Sequence, residues 1–465
     1  MTFMQWANYI IFKFELTEGA LLATFATNVN EGTDFLKILP LWYLLSGFTW
    51  IFIHSIVIFK QSINQEVKVP YFRVIVTIGL VLGLLPKAVN ISRASSEVSK
   101  VFERAYPTRN IIVLLNSFTL QKEFEKDLKQ VSLAKFSIAN TKRENELHVI
   151  VIGESARKSS HSLYGYKRKT NSFTNEFTDD ITLFRSPFSS SNSTIMSLKW
   201  TIAKKTESGA LILPHILKLA GYNTQWISNQ GKFGEHLNAT TVLANTAGDT
   251  VFINNSDFGG VSFDEKVLPK LRANINNNSA QVIFIHLLGS HFHYNRRYPD
   301  SYKHFNDHSD LLNQYENFSE FKGDMVNSYD NSIRYTDFVL SEIIKTVKSS
   351  GRKSSVTYFS DHGELLFEEG SDFYGHGGGK APQKEELEVP FFIWTSKDYQ
   401  GSKAKDSINE LARTPQSLTN FIDIMVHFLR IPVTGVKLKS VEELQNLTEI
   451  PFYDSRGQRQ VFKKL

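Results

Sequence analysis

Residues 147–157 read Leu147-His148-Val149-Ile150-Val151-Ile152-Gly153-Glu154-Ser155-Ala156-Arg157. A near-continuous apolar run rich in Val and Ile fits a strand buried on both faces of a sheet, and the glycine followed by an acid marks where it stops. Four more runs share this character: Thr224–Ser228, Gln281–Leu288, Ser355–Ser360 and Val389–Trp394. Between them lie amphipathic stretches. Residues 211–222 (LILPHILKLAGY) carry Gly221 where a helix would close, and a long helix around Tyr329–Lys348 places Ile333, Leu340, Ile344 and Val347 on one face. Residues 274–281 (NINNNSAQ) read as a turn or loop. Buried strands alternating with helices define an α/β fold around a mostly parallel sheet.

Upstream the character changes. Ile38–Phe59 carries one group that titrates near neutral pH, His54, and meets the roughly 20 residues that a bilayer crossing needs. Val69–Pro86 is a second, shorter candidate, with Arg73 able to snorkel from its start. The apolar stretches at 8–14 and 16–26 are interrupted by Lys13, Glu15 and Glu18 and do not stand as spans. Residues 14–36 hold no Lys or Arg, whereas 60–73 carry Lys60, Lys68 and Arg73 against Glu66. The positive-inside tendency then puts that loop in the cytoplasm and everything after Pro86 outside. No cleavable signal-peptide pattern leads the chain. The expected organisation is a transmembrane helical region at 1–90, a linker with bridging helices at 91–146 that includes the charged run 117–136, and a catalytic domain at 147–465.

The 465 residues suffice for a large buried core. Lys plus Arg number 52 against 47 Asp plus Glu, and a net charge of +5 is too dilute to imply nucleic acid. With no cysteine in the chain, thiolate metal sites, a cysteine nucleophile and disulfides are all excluded. Any metal must be held by carboxylate, imidazole and hydroxyl.

Ligands in α/β sheets gather at the carboxyl ends of strands. Glu154 follows the first strand, Gly289-Ser290-His291 the third, and Asp361-His362-Gly363-Glu364 the fourth, with His376 twelve residues beyond Glu364. Singly, each has a bland alternative: Glu154 as an acid at a helix start, Asp361 as a turn cap, His291 and His376 as packed or surface histidines, Glu364 as a salt-bridged acid. Together they are the groups that hold a hard or borderline divalent cation. A hydroxyl nucleophile would come from 189–194 (SSSNST), which runs into a helix-capable stretch whose free N–H groups favour an anion. Locally nothing separates Thr194 from Ser193, and an ordinary helix cap explains either.

These motifs, in order, resemble a family. Gly153-Glu154-Ser155-Ala156-Arg157 with Ser162-Leu163-Tyr164-Gly165-Tyr166, Ser193-Thr194-Ile195-Met196-Ser197-Leu198, His286-Leu287-Leu288-Gly289-Ser290-His291 with Arg297-Tyr298-Pro299, Ser360-Asp361-His362-Gly363-Glu364, and His376 before Ala381-Pro382 are similar to the segments of bacterial membrane-bound phosphoethanolamine transferases. Thr27-Asn28-Val29-Asn30-Glu31 resembles that family's membrane-proximal loop. The resemblance implies an alkaline-phosphatase/sulfatase-like parallel-sheet sandwich on a transmembrane anchor, in the bacterial inner membrane with its catalytic domain in the periplasm. It implies zinc held by Glu154, Thr194, Asp361 and His362, and Thr194 as the residue that attacks phosphatidylethanolamine and releases diacylglycerol. His291, His376, Glu364 and Asn229 would serve the substrate, or the histidines a second zinc.

Members carry more membrane helices than the two good candidates here, and the lipid A-modifying branch has periplasmic disulfides that this chain cannot form. The acceptor is therefore expected to be lipopolysaccharide core sugar or a periplasmic glucan. The rivals are a phosphoglycerol transferase of the lipoteichoic-acid-synthase type and a non-catalytic envelope scaffold that retains the fold.

Overall fold

A computed structural model describes residues 136–463 apart from 140–142, 144, 208, 232–238, 255–261, 276–278, 313–317, 372, 378–381 and 455–456. The chain divides between Thr119 and Leu120, and every described residue belongs to the second unit. Both candidate membrane spans, at 38–59 and 69–86, and the Thr27–Glu31 segment lie outside the described residues. Among the described residues no helix is long and apolar enough to cross a membrane.

The elements that position the site are, in chain order, β1 (Glu146–Gly153), β2 (Ile181–Leu183), α1 (Thr194–Ile202), α2 (Leu213–Leu219), β3 (Asn223–Ser228), β4 (Asp249–Phe252), α3 (Val267–Asn274), β5 (Gln281–His286), α4 (Glu320–Ser349), β6 (Lys353–Ser360), β7 (Phe391–Thr395) and α5 (Phe421–Phe428). The strands form one sheet in the order β2-β7-β6-β1-β5-β3-β4. From β6 to β4 every pairing is parallel.

Side chains along β1 alternate between two cores. Leu147, Val149 and Val151 pack with Leu271 of α3 and with Val339, Leu340, Ile343, Ile344 and Val347 of α4. Ile150 and Ile152 pack on the other face with Leu198 and Ile202 of α1, Ile216 and Leu217 of α2, and Ile422 and Met425 of α5. Burial of both faces is why the strand reads as unbroken apolar sequence, and each such side chain contributes about 1.5–3 kcal/mol.

Three expectations change. The sheet is mostly but not wholly parallel, because β7 runs antiparallel to both β6 and β2. The chain leaves β6 at Ser360 and re-enters at Phe391, which pairs with Phe359, so the connection starts and finishes at the same end of the sheet. A connection that never crosses the sheet must return antiparallel. The strand expected at 281–288 ends at His286, because the Leu288 N–H is taken by the Asp264 carboxylate at 2.8 Å. The helix expected around Tyr329–Lys348 begins earlier, at Glu320, where the Ser319 hydroxyl accepts from the Lys322 N–H. The short strands β2 and β4 are additions that no local pattern announced.

Candidate active site

Parallel register sets Gly153 of β1 opposite Ser360 of β6, so the residues that follow, Glu154 and Asp361, emerge side by side. The Asp361 N–H donates to the Gly153 carbonyl at 3.1 Å. Ser155 then turns in the left-handed region (φ 55), a conformation costing a non-glycine about 1–3 kcal/mol. That turn aims its N–H at Asp361 Oδ1 (3.1 Å), and its hydroxyl donates to Glu154 Oε1 (2.9 Å). From β5, the Ser290 N–H donates to the Glu154 carbonyl at 2.9 Å.

Gly289 lies so close that a Cβ would stand 2.7 Å from the Glu154 carbonyl oxygen, at a φ of +50. Gly289→Ala is therefore expected to cost about 1–3 kcal/mol or more in urea denaturation. Gly351→Ala, at φ +65 but with nothing within 4 Å, should cost less. Equal losses would show that the contact with Glu154 does not matter.

On the opposite side, the buried segment Ser189–Asn192 leads into α1. Ser193 occupies the cap in extended conformation, and its side chain makes no cap hydrogen bond. Thr194 opens the helix with Oγ1 3.2 Å from each carboxylate oxygen of Glu154 and 3.3 Å from His362 Nε2. The two hydroxyls that local sequence left equivalent are thus separated by tertiary position. His362 Nδ1 donates to the Gly363 carbonyl at 2.8 Å, which leaves Nε2 directed at Glu154 Oε1, 3.2 Å away. Fixing one ring nitrogen on a carbonyl so that the other can ligate is the usual arrangement at metal-binding histidines.

Glu154, Asp361 and His362 each bring one ligand atom into a group whose members lie within 4.8 Å of one another. All three side chains are buried, and Asp361 Oδ2 has no hydrogen-bond partner. Two carboxylates, an imidazole and a hydroxyl, with one buried oxygen that accepts no hydrogen bond, fit a divalent cation. The electrostatics agree. Burial works against a charged His362, yet Asp361 and Glu154 hold it up to about 10. Burial likewise opposes the Glu154 carboxylate, but its hydrogen bond to His362 and that ring's charge keep it below the usual range. Burial and the charge of Glu154 push Asp361 well above it. A cation bound among these groups would take the place of the proton on His362 and favour the ionised form of Asp361.

His362 also belongs to a second group with Glu364 and His376. His376 Nδ1 lies 2.6 Å from Glu364 Oε2, and the Tyr294 hydroxyl donates to Glu364 Oε1 at 2.5 Å. The rings of His362 and His376 are 3.9 Å apart. His291 is half-buried on a loop clasped by Arg297, whose Nε and Nη2 donate to the carbonyls of His291 and Phe292 at 3.1 and 3.0 Å. Burial lowers the His291 imidazole to about 4, against the pull of Glu154.

Asn229 is not brought to this cluster as a substrate contact. Its Nδ2 donates to Asp264 Oδ1 (2.8 Å) and its Oδ1 accepts from Ser262 (2.7 Å), so both ends of the amide are committed behind the strand end. The next residue, Gln230, reaches the site instead, donating from Nε2 to Glu154 Oε2 at 3.2 Å and to the Leu287 carbonyl at 3.0 Å. Gln230, Tyr294 and Asp264 were missed in the sequence. Gln230 sits two residues past β3, and its position after a strand end is the signal for it in the sequence. Asp264, which accepts from the N–H groups of Leu288 and Gly289 at 2.8 Å each, lies in a short turn with no local signal.

An α/β sheet whose adjoining strand ends present a carboxylate, an Asp-His pair and a helix-opening threonine defines a class, and residues 147–430 match the Sulfatase family. The chain belongs to that family. Within it the chain is similar to phosphoethanolamine transferases: EptC of Escherichia coli (strain K12), 26% identical over 431 residues, covering 87% of this chain and 74% of that protein; and CptA of Salmonella typhimurium, 26% identical over 430 residues, covering 87% and 74%. It is a transferase enzyme.

Two solved structures show the same fold. The C-terminal periplasmic domain of Escherichia coli EptC in complex with Zn matches with a TM-score of 0.63 at 24% identity, covering 71% of this chain and 95% of that one. The integral membrane protein lipooligosaccharide phosphoethanolamine transferase A of Neisseria meningitidis matches with a TM-score of 0.65 at 19% identity, covering 94% and 83%.

Proposed function

We propose that this chain is a zinc-dependent, membrane-anchored phosphoethanolamine transferase of the bacterial inner membrane, with residues 1–90 as anchor, 91–146 as linker and 147–465 as a periplasmic catalytic domain. The observation that carries this reading is the placement of Thr194 Oγ1 between Glu154 and His362 at the start of α1. A zinc ion held by Glu154, Asp361, His362 and Thr194 would lower the hydroxyl's pKa and offset charge on the phosphoryl oxygens.

The chain's own residues do the rest. Thr194 Oγ, its proton released to solvent, forms a bond to the phosphorus of phosphatidylethanolamine as the bond to the diacylglycerol oxygen breaks, and that oxygen takes up a proton. His376, oriented through Nδ1 by Glu364, is placed to donate it, and Tyr294 holds the other oxygen of Glu364. His291 would bind a phosphoryl oxygen. In the second half-reaction an acceptor hydroxyl on lipopolysaccharide or an envelope glycan gives its proton to His376 and attacks the same phosphorus, and Thr194 Oγ leaves. Splitting the displacement in two keeps each step on a group that the fold holds in place.

Intact-protein mass spectrometry after incubation with phosphatidylethanolamine vesicles, without acceptor, is expected to show phosphoethanolamine on Thr194. Phosphatidylglycerol vesicles should leave the chain unmodified. A glycerophosphate adduct instead would overturn the donor assignment and favour a phosphoglycerol transferase, and no adduct from either would sink the covalent mechanism.

A further inference from the structure

The mechanism above makes no use of Glu386, a fully buried acid in the short helix Lys384–Leu387. Its Oε1 accepts from Asn192 Nδ2 and from the Gly377 N–H, both at 2.8 Å, and its Oε2 accepts from the Gln383 N–H at 2.7 Å. Its backbone carbonyl accepts from the Gly363 N–H, also at 2.7 Å. One residue thereby joins three segments that are distant in sequence. Asn192 lies two residues before Thr194, Gly363 directly follows His362, and Gly377 directly follows His376.

The approach at Gly363 is close enough that a Cβ there would meet the Glu385 carbonyl at 2.0 Å. A buried carboxylate is expensive unless it is satisfied, and here it collects three N–H donors, so what it provides is geometry rather than apolar burial. Because a carboxylate only accepts, it also fixes which end of the Asn192 amide faces it.

We propose that Glu386 is a positioning residue that sets the spacing between Thr194 and His376 by tying Asn192 to Gly377. The inference rests on the reading of Thr194 as nucleophile. It predicts an asymmetry between two variants. Glutamine can present one oxygen where Oε1 stands and keep both Asn192 and Gly377, losing only the bond from Gln383. Alanine loses all three.

In the full chain with phosphatidylethanolamine vesicles, Glu386→Ala should lower kcat on the order of 10²-fold, the scale of a small misplacement of reacting groups, while donor KM changes by less than about threefold. Zinc content should stay that of the wild type, and Glu386→Gln should recover most of the loss. Asn192→Ala should cause a similar loss and add little on top of Glu386→Ala, since both cut the same tie.

If Glu386 only caps its own helix, Gln and Ala would lower the melting temperature alike and kcat would follow the folded fraction; that result overturns the proposal. Amide hydrogen exchange at Gly377, faster in Glu386→Ala, reads the tie independently of turnover. A fully active Thr194→Ala would remove the nucleophile reading while faster Gly377 exchange left the tie standing. A dead Thr194→Ala beside a Glu386→Ala with wild-type kcat would remove the positioning role alone.

Discussion

Thr194→Ala is expected to abolish phosphoethanolamine transfer, by on the order of 10⁴-fold or more, while the domain stays folded. The size follows from the proposed mechanism: without Oγ1 there is no atom to form the bond to phosphorus, so the covalent intermediate and both half-reactions would be lost together. Stability should change little. Thr194 is only half-buried, and alanine is a better helix former. The first turn of α1 also has its own anchor, since the Ser197 N–H donates to the Ser193 carbonyl at 2.8 Å and the Ser197 hydroxyl to the Asp361 carbonyl at 2.5 Å. Thr194→Ser, which keeps the hydroxyl, should retain part of the activity. Turnover assays with phosphatidylethanolamine vesicles alongside thermal melts give the measurement, and wild-type turnover in the alanine variant would refute the assignment.

Asp361→Asn is expected to weaken metal binding by more than about 100-fold, beyond what loss of an outer-sphere partner costs. Asp361 Oδ1 accepts from the N–H groups of Ser155 (3.1 Å) and His362 (2.7 Å), a task that an asparagine oxygen can take over, so the turn survives. Oδ2 is the buried oxygen without a hydrogen-bond partner, and replacing it with an NH₂ group directs positive hydrogens at the place a cation would occupy. Elemental analysis should find zinc in the wild type and little in the variant. Chelation should lower wild-type stability by about 4 kcal/mol if zinc was present at a thousandfold excess over its Kd, and should leave the variant's melt unchanged. A variant with full zinc and a chelator-sensitive melt would exclude Asp361 as a ligand.

The strands of the sheet were legible because burial on both faces leaves a mark that no neighbour can erase: β1, β3, β5 and β6 all coincide with apolar runs in the chain. Glu154, Asp361 and His362 were legible as well, since in parallel strands the residue after each end must emerge at the same edge. Hydropathy, however, carries no sign for direction. Val389–Trp394 reads the same whether it runs with β6 or against it, and the antiparallel course of β7 follows from the connection after Ser360 finishing at the end of the sheet where it started. Asn229 and Gln230 are adjacent amides after β3, and which of them faces Glu154 depends on Asp264 taking the first.

The sequence by itself determined which residues leave water, that the chain builds an α/β sheet, and that without cysteine a metal site must be made of carboxylate, imidazole and hydroxyl. Those properties belong to single side chains or to short periodic runs. Only the tertiary structure decided that Thr194 rather than Ser193 meets Glu154, that Glu364 grips His376, and that Glu386 links Asn192 to Gly377. Each of these is a contact of a few ångströms between segments far apart in the chain, and strand register and loop path set such distances, while local composition does not.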